Sequence, residues 1–239
     1  MHRIISAINF FLLLYVPAFS QTTANEWIKA GQEKLNSNDS KEAINSYTEA
    51  LKLDSLNAEA YYFRANAYYD QKKYDNAISD YSQCLNLNSK NIHAFYNRGN
   101  VWYEKGEYTK AINDFNETLK LDSTYFDSYF DRGNAYYKTG EYQKAINDIN
   151  RGLLLRPSHA DGYYDRANAR FKLNAYTEAI SDYTKAIELN PKQNDYYFNR
   201  AIAEFNLEMN TEGCKDLRKA KELGDTEAKE YLKEFCPKN

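Results

Sequence analysis

The segment Tyr129–Asp148, YFDRGNAYYKTGEYQKAIND, is a variant of two others in the same chain, YYFRANAYYDQKKYDNAISD at 61–80 and YYDRANARFKLNAYTEAISD at 163–182. Aligned on their arginines, Arg64, Arg98, Arg132, Arg166 and Arg200 each follow the last by 34 residues. A constant period of this length marks stacked supersecondary units, none of which can bury its apolar face alone. Carried backward, the register places Trp27, Gly31, Ala43, Tyr47 and Ala50 in a further, more divergent unit. The repeats then run 24–57, 58–91, 92–125, 126–159, 160–193 and 194–227, which is nearly the whole of the 239-residue chain.

Within a unit the apolar residues recur at helical spacing. Tyr129, Gly133 and Tyr136 share one helix face, and Tyr142, Ala145, Ile146 and Ile149 share another. Between them lies KTGE, where Gly140 can take the left-handed conformation that closes a helix. Gly106, Asn174 and Asn38 hold the equivalent place. Small residues at Gly133 and Ala145, and at their counterparts, predict close approach of the two helix backbones. Pro157 and Pro191 end the second helices of their units.

At these positions the chain resembles the tetratricopeptide-repeat family over about 24–227, with that motif's order of small residue, Tyr, Gly, Tyr, Ala, aromatic, small residue and Pro. Departures are Lys34 for an aromatic, Gly213 for Ala, and Ser often in place of Pro. The resemblance implies an all-α fold: a right-handed superhelical solenoid of antiparallel helical hairpins, whose first helices line a concave groove that holds other proteins. A capping helix at 226–235 and a tail at 236–239 complete the expected domain.

Composition agrees with a folded scaffold. Apolar residues make up 43% of the chain, and tyrosine dominates the aromatics with 23 of them, a residue that packs its ring while wetting its hydroxyl. Net charge is only -3, with the signs interspersed, so neither a nucleic-acid footprint nor a polybasic membrane contact is present. Residues 1–20 differ: a basic start at MHR, the apolar run IISAINFFLLLYV, and small residues at Ala18 and Ser20. This pattern predicts a secretory signal peptide cleaved after Ser20. The run contains Asn9, ends at Pro17 and is shorter than the roughly 20 residues a membrane span needs. The expected location is therefore exported, periplasmic or secreted, with no membrane span after cleavage.

Arg occupies the seventh place of units two to six and Asp the twenty-third, whereas unit one has Ala30 and Ser46. Their joint absence predicts ion pairs within units: Arg64 with Asp80, Arg98 with Asp114, Arg132 with Asp148, Arg166 with Asp182 and Arg200 with Asp216. The chain has three cysteines. Cys84 replaces a small second-helix residue and reads as a free core thiol. Cys214 lies ten residues before Gly224 and Cys236 twelve after it. A helical hairpin turning at Gly224 would set the two face to face as a disulfide, the other reading being two separate thiols. No catalytic motif, phosphate loop or metal-ligand spacing occurs, so neither enzyme activity nor a cofactor or metal is expected.

Each first helix carries an aromatic, an Asn four residues on and an aromatic three further: Tyr62, Asn66, Tyr69; Tyr96, Asn100, Tyr103; Phe130, Asn134, Tyr137; Tyr164, Asn168, Phe171. This spacing puts each set on one helix side. Rings at such places also commonly pack against the next unit, whereas the amides offer both donor and acceptor to a peptide backbone. Asp127, Asp131, Asp161, Asp165 and Asp195 stand nearby. The expected partner is a protein or peptide segment, neutral to basic and extended in the groove. The rival expectations are end-to-end self-association without a groove ligand, or an accessory subunit of an envelope enzyme or glycan-binding complex.

Overall fold

The computed structural model describes residues 22–236; the leader 1–20 and the last part of the tail, 237–239, lie outside the described residues. Among the described residues there are thirteen helices and no strand. They pair as α1 (Ala24–Asn36) with α2 (Ser40–Leu53), α3 (Ala58–Asp70) with α4 (Tyr74–Leu87), and α5 (Ile92–Glu104) with α6 (Tyr108–Leu121). The series continues with α7 (Phe126–Lys138) and α8 (Tyr142–Leu155), α9 (Ala160–Lys172) and α10 (Tyr176–Leu189), and α11 (Asn194–Phe205) and α12 (Asn210–Glu222). The last helix, α13 (Ala228–Phe235), packs on α12. Each second helix packs on its own first helix and on the next one along the chain. Successive first helices also touch, while no comparable contact joins successive second helices. The first helices therefore line the inner side of the stack.

Every hairpin turns at the same place. Asn38, Lys72, Gly106, Gly140, Asn174 and Glu208 have φ of 59, 56, 77, 82, 59 and 59°. The residues that follow bond back onto the last turn of the first helix, as Glu107 N does to Trp102 O at 2.9 Å. Lys72 and Glu208 adopt this conformation without the help of a glycine or an asparagine.

The core between paired helices is built from alanines with no exposure, Ala43, Ala77, Ala111, Ala145 and Ala179, and from one bulky side chain on each second helix. That side chain explains the small residues of the first helix. A Cβ added at Gly31 would lie 2.5 Å from the Tyr47 ring, and one at Gly99 would lie 2.7 Å from Phe115. At Gly133 the helices approach as expected, a Cβ there lying 3.3 Å from the Ala145 backbone oxygen and 2.9 Å from Ile149, whereas at Gly31 and Gly99 the glycine makes room for a ring.

The arginines connect units in two directions. In each, Nε and Nη2 grip the Asp of the same unit: Arg132 donates to Asp148 at 2.6 and 2.7 Å, and Arg98 to Asp114 at 2.8 and 2.7 Å. Arg64, Arg166 and Arg200 hold Asp80, Asp182 and Asp216 in the same bidentate way. Nη1 reaches backward to the preceding unit, to Thr48 at 3.2 Å, Ser82 at 2.9 Å, Asn116 and Asn150 each at 2.6 Å, and Thr184 at 2.9 Å. Each guanidinium also lies 5.3–5.8 Å from the ring of the aromatic three residues before it, within cation–π range. Burial pushes the Asp114 carboxyl above its ordinary range, and Arg98 opposes that shift.

At the C-terminal end Gly224 turns with φ 101°, and Asp225 Oδ1 accepts from Ala228 N at 2.8 Å, starting α13. Cys214 and Cys236 are joined by a disulfide with Cα atoms 5.8 Å apart. Phe198 meets Tyr231 edge-on, and Phe205 stacks on Phe235. Cys84 is a buried free thiol, whose pKa burial raises.

Two outcomes follow. Arg132→Met leaves the mostly buried Asp148 without its cation and should cost about 3–5 kcal/mol in urea unfolding, while Arg132→Met with Asp148→Leu should recover most of that loss. Closing a loop with a sequence separation of 22 contributes roughly 3 kcal/mol, so Cys214→Ser should accelerate amide exchange in α13 while leaving α3–α8 unchanged.

Candidate binding groove

The inner surface is made by the first helices, and its rings divide into two classes. The upper row packs into the stack: Tyr96 lies 4.9 Å from Tyr125, the last residue of its own unit, and Tyr164 lies 4.9 Å from Tyr196 of the next unit. Tyr62 sits 6.1 Å from Tyr81. Phe130 is only 4% exposed, stacked 4.3 Å from His159 in space left by Gly152 and Gly162. It is a core residue and does not line the groove. The lower row, Tyr69, Tyr103, Tyr137 and Phe171, packs at a tilt or edge-on against Tyr74, Tyr108, Tyr142 and Tyr176 of the same unit at 5.2–6.0 Å and stays half-buried. Tyr69, Tyr103 and Tyr137 line cavities there.

The four asparagines are not equivalent. Asn66 Oδ1 accepts from the buried Tyr81 hydroxyl at 2.5 Å, and Asn168 Oδ1 accepts from Tyr183 at 2.6 Å. In the two units between, Phe115 and Ile149 occupy that place on the second helix and have no hydroxyl. Asn134 instead donates through Nδ2 to Asp165 Oδ2 at 3.1 Å. Asn100 lines two adjoining cavities of about 270 and 220 Å³. The signal that separates the outer asparagines from the inner ones was present in the sequence as Tyr, Phe, Ile, Tyr along the second helices.

A further row was not legible from within a single unit. In units three, four and six, the residue after the upper-row aromatic bonds the upper ring of the preceding unit. Asn97 donates to the Tyr62 hydroxyl at 3.2 Å and Asn199 to that of Tyr164 at 2.8 Å. Asp131 Oδ2 accepts from the Tyr96 hydroxyl at 2.6 Å. Asp165 has Phe130 opposite, without a hydroxyl, and takes the Asn134 amide instead. Neither carboxylate has an ion-pair partner among the described residues. Burial raises both pKa values to about 6; the Tyr96 hydroxyl and the Asn134 amide oppose the shift, and neighbouring carboxylates add to it. Of the other acids, Asp161 is exposed and accepts from the Tyr196 hydroxyl; Asp195 is exposed and Asp127 half-buried.

The cavity of about 270 Å³ is lined by Tyr69, Tyr96, Asn100, Tyr103, Glu104, Asp131 and Asn134. Its neighbour of about 180 Å³ shares Tyr103 and Asn134 with it and adds Tyr137, Lys138, Asp165 and Asn168. Among the described residues no group of three or more His, Cys, Asp and Glu is placed to hold a metal ion, and no helix is long and apolar enough to cross a membrane.

Stacked helical hairpins around a shared inner surface define a repeat solenoid. The chain belongs to the tetratricopeptide-repeat family: the profile described as a tetratricopeptide repeat matches residues 28–91, 130–194 and 164–222, and a second TPR-repeat profile matches 99–140. Among solved structures, the C-terminal part of a TPR repeat-containing protein from Cytophaga hutchinsonii is similar at 23% identity and TM-score 0.74, with 87% of each chain covered. YrrB, described as a TPR protein with an unusual peptide-binding site, is similar at 21% identity and TM-score 0.68 over 79% of this chain and 97% of its own. MamA is similar at 25% identity and TM-score 0.65 over 69% and 96%. The search of curated proteins finds no match.

The two kinds of asparagine should separate experimentally. Asn66→Ala orphans the Tyr81 hydroxyl and should destabilise the protein by about 1–3 kcal/mol. Asn100→Ala, which takes away only the amide's contact with the Tyr96 hydroxyl, a hydroxyl that Asp131 still binds, should shift the urea midpoint far less than Asn66→Ala does.

Proposed function

We propose that this protein is an exported, noncatalytic scaffold that holds an extended, neutral-to-basic segment of another protein along its inner groove. The observation that carries this reading is the middle of the groove, where Asn100, Asn134, Asp131 and Asp165 line contiguous cavities and are incompletely satisfied by the fold itself. Amides and carboxylates of this kind can bond a peptide backbone and its side chains, while the lower-row rings supply contact area at small entropic cost. The family supports a protein-binding role, and the printed description of YrrB shows that a chain of similar fold has a peptide-binding site. Export is supported by the leader pattern and by the Cys214–Cys236 disulfide, since such bridges persist in oxidising compartments.

Capture from an envelope extract with the mature chain, followed by calorimetry on the partner so identified, tests the reading. Asn100→Ala with Asn134→Ala should weaken binding at least tenfold in a protein that still folds. Unchanged affinity in that double variant would place the partner on another surface. Export is checked separately: fractionation should find a chain lacking residues 1–20 outside the cytoplasm.

A further inference from the structure

The two central carboxylates are not required by the architecture. Asn97 and Asn199 stand in the same place of units three and six and make the same link to the preceding unit's upper ring with a neutral amide. Units four and five use Asp131 and Asp165 instead, next to each other along the stack, and hold both half-buried with no ion pair among the described residues. Each spends one oxygen on the fold: Asp131 Oδ2 on Tyr96 and Asp165 Oδ2 on Asn134. The other oxygen of each accepts no hydrogen bond within the protein and is not sealed off, because the only sealed and unpartnered side-chain atoms among the described residues are Tyr47 Oη and Glu204 Oε2. Both residues line cavities, and these meet at Tyr103 and Asn134.

We propose that Asp131 and Asp165 receive one arginine side chain of the bound segment, with its guanidinium against the Tyr103 ring between the two carboxylates. This deepens the groove reading and rests on it. Cavities of about 270 and 180 Å³ fall below the roughly 300–1,000 Å³ of ordinary small-molecule sites and suit a single side chain. A guanidinium has five donors in a plane, so it can serve two carboxylates and an amide oxygen at once and still lie flat on an aromatic face; an ammonium offers fewer matched directions. Glu104 on α5 adds a third negative charge at the rim. Lys138 on α7 also lines the smaller cavity, and its charge opposes the rise in the Asp165 pKa.

The occupied and empty states differ in protonation. Asp131 faces Tyr96, Tyr103 and Glu104 from α5, Asp127 from its own helix and Asp165 from α9; Asp165 faces Asp161 on its own helix and Asp131, Tyr137 and Lys138 on α7. With pKa values raised to about 6, both are charged at neutral pH, and protonation below that removes the attraction. The same shift acts on stability with a defined sign. Because the folded carboxyls bind protons more tightly than unfolded ones, stability falls as pH rises from about 4 through about 6 and stays at the lower level above.

The test uses the mature chain and a capped peptide, acetyl-Gly-Tyr-Arg-Tyr-Gly-amide, against the same peptide with neutral citrulline or with lysine. Titrations are followed by side-chain amide resonances of Asn100 and Asn134. The arginine peptide should bind at least tenfold more tightly than the citrulline peptide at pH 7.5, more tightly than the lysine peptide, and progressively more weakly below pH 6. Asp131→Asn with Asp165→Asn should abolish the arginine preference while raising the thermal midpoint at pH 7.5, an increase that loss of a structural ion pair would not give. Equal affinity for arginine and citrulline, or an arginine preference that survives in the double variant, overturns the proposal; equal affinity for lysine overturns the assignment to arginine. If the captured partner is weakened by Asn100→Ala with Asn134→Ala but not by the double Asp variant, the groove stands and the guanidinium subsite falls. If neither pair matters, the groove reading itself fails.

Discussion

Five planar donors on one side chain set the geometry of this molecule. Each repeat arginine gives two of its N–H groups to the Asp of its own hairpin and a third to the second helix of the hairpin before, so one residue fixes both the angle inside a unit and the step between units. A lysine could supply the charge but not three fixed directions. The ends of the chain obey the same logic. Unit one, the first unit among the described residues, carries Ala30 and Ser46 where the pair would stand. In the last unit no seventh arginine reaches back, and the acceptor's place is taken by Arg218.

A solenoid assembled this way is stable through nearest-neighbour contacts, and its ends need separate treatment. The N-terminal unit keeps a buried Tyr47 with an unpaired hydroxyl, a polar group that its sisters Tyr81 and Tyr183 satisfy through asparagine. The C-terminal unit is covered by α13, which the Cys214–Cys236 disulfide ties back to α12.

The inner surface is what remains once these joints are made. At its two ends the polar residues are consumed in bonding one unit to the next: Asn66 by Tyr81 and Asn97, and Asn199 by Tyr164. Toward the middle, Phe115, Phe130 and Ile149 replace hydroxyl-bearing residues or their equivalents, and the amides and carboxylates facing them are released. Asp131 and Asp165 are held there half-buried, each with one carboxylate oxygen that accepts no hydrogen bond within the protein.

The period of 34 residues, two helices per unit, and the turn positions at Gly106 and Gly140 could all be read from the sequence, because periodicity and left-handed turns are local properties. The same holds for the facing of Cys214 and Cys236, which needs only a hairpin and a count of residues. The fate of the groove residues could not be read in this way. Phe130 and Tyr137 look alike in a repeat alignment, yet one fills the gap left by Gly152 and Gly162 in the next elements while the other borders a cavity. Asn66 and Asn100 are identical in register, and only the residue facing each across the hairpin makes one a structural acceptor and leaves the other open. Sequence determined the unit and its repetition, since each unit's helices follow from its own pattern of side chains. Tertiary structure decided which polar atoms stayed free, because hydrogen bonds between units depend on pairs of residues about one repeat apart, brought within reach only when the units stack.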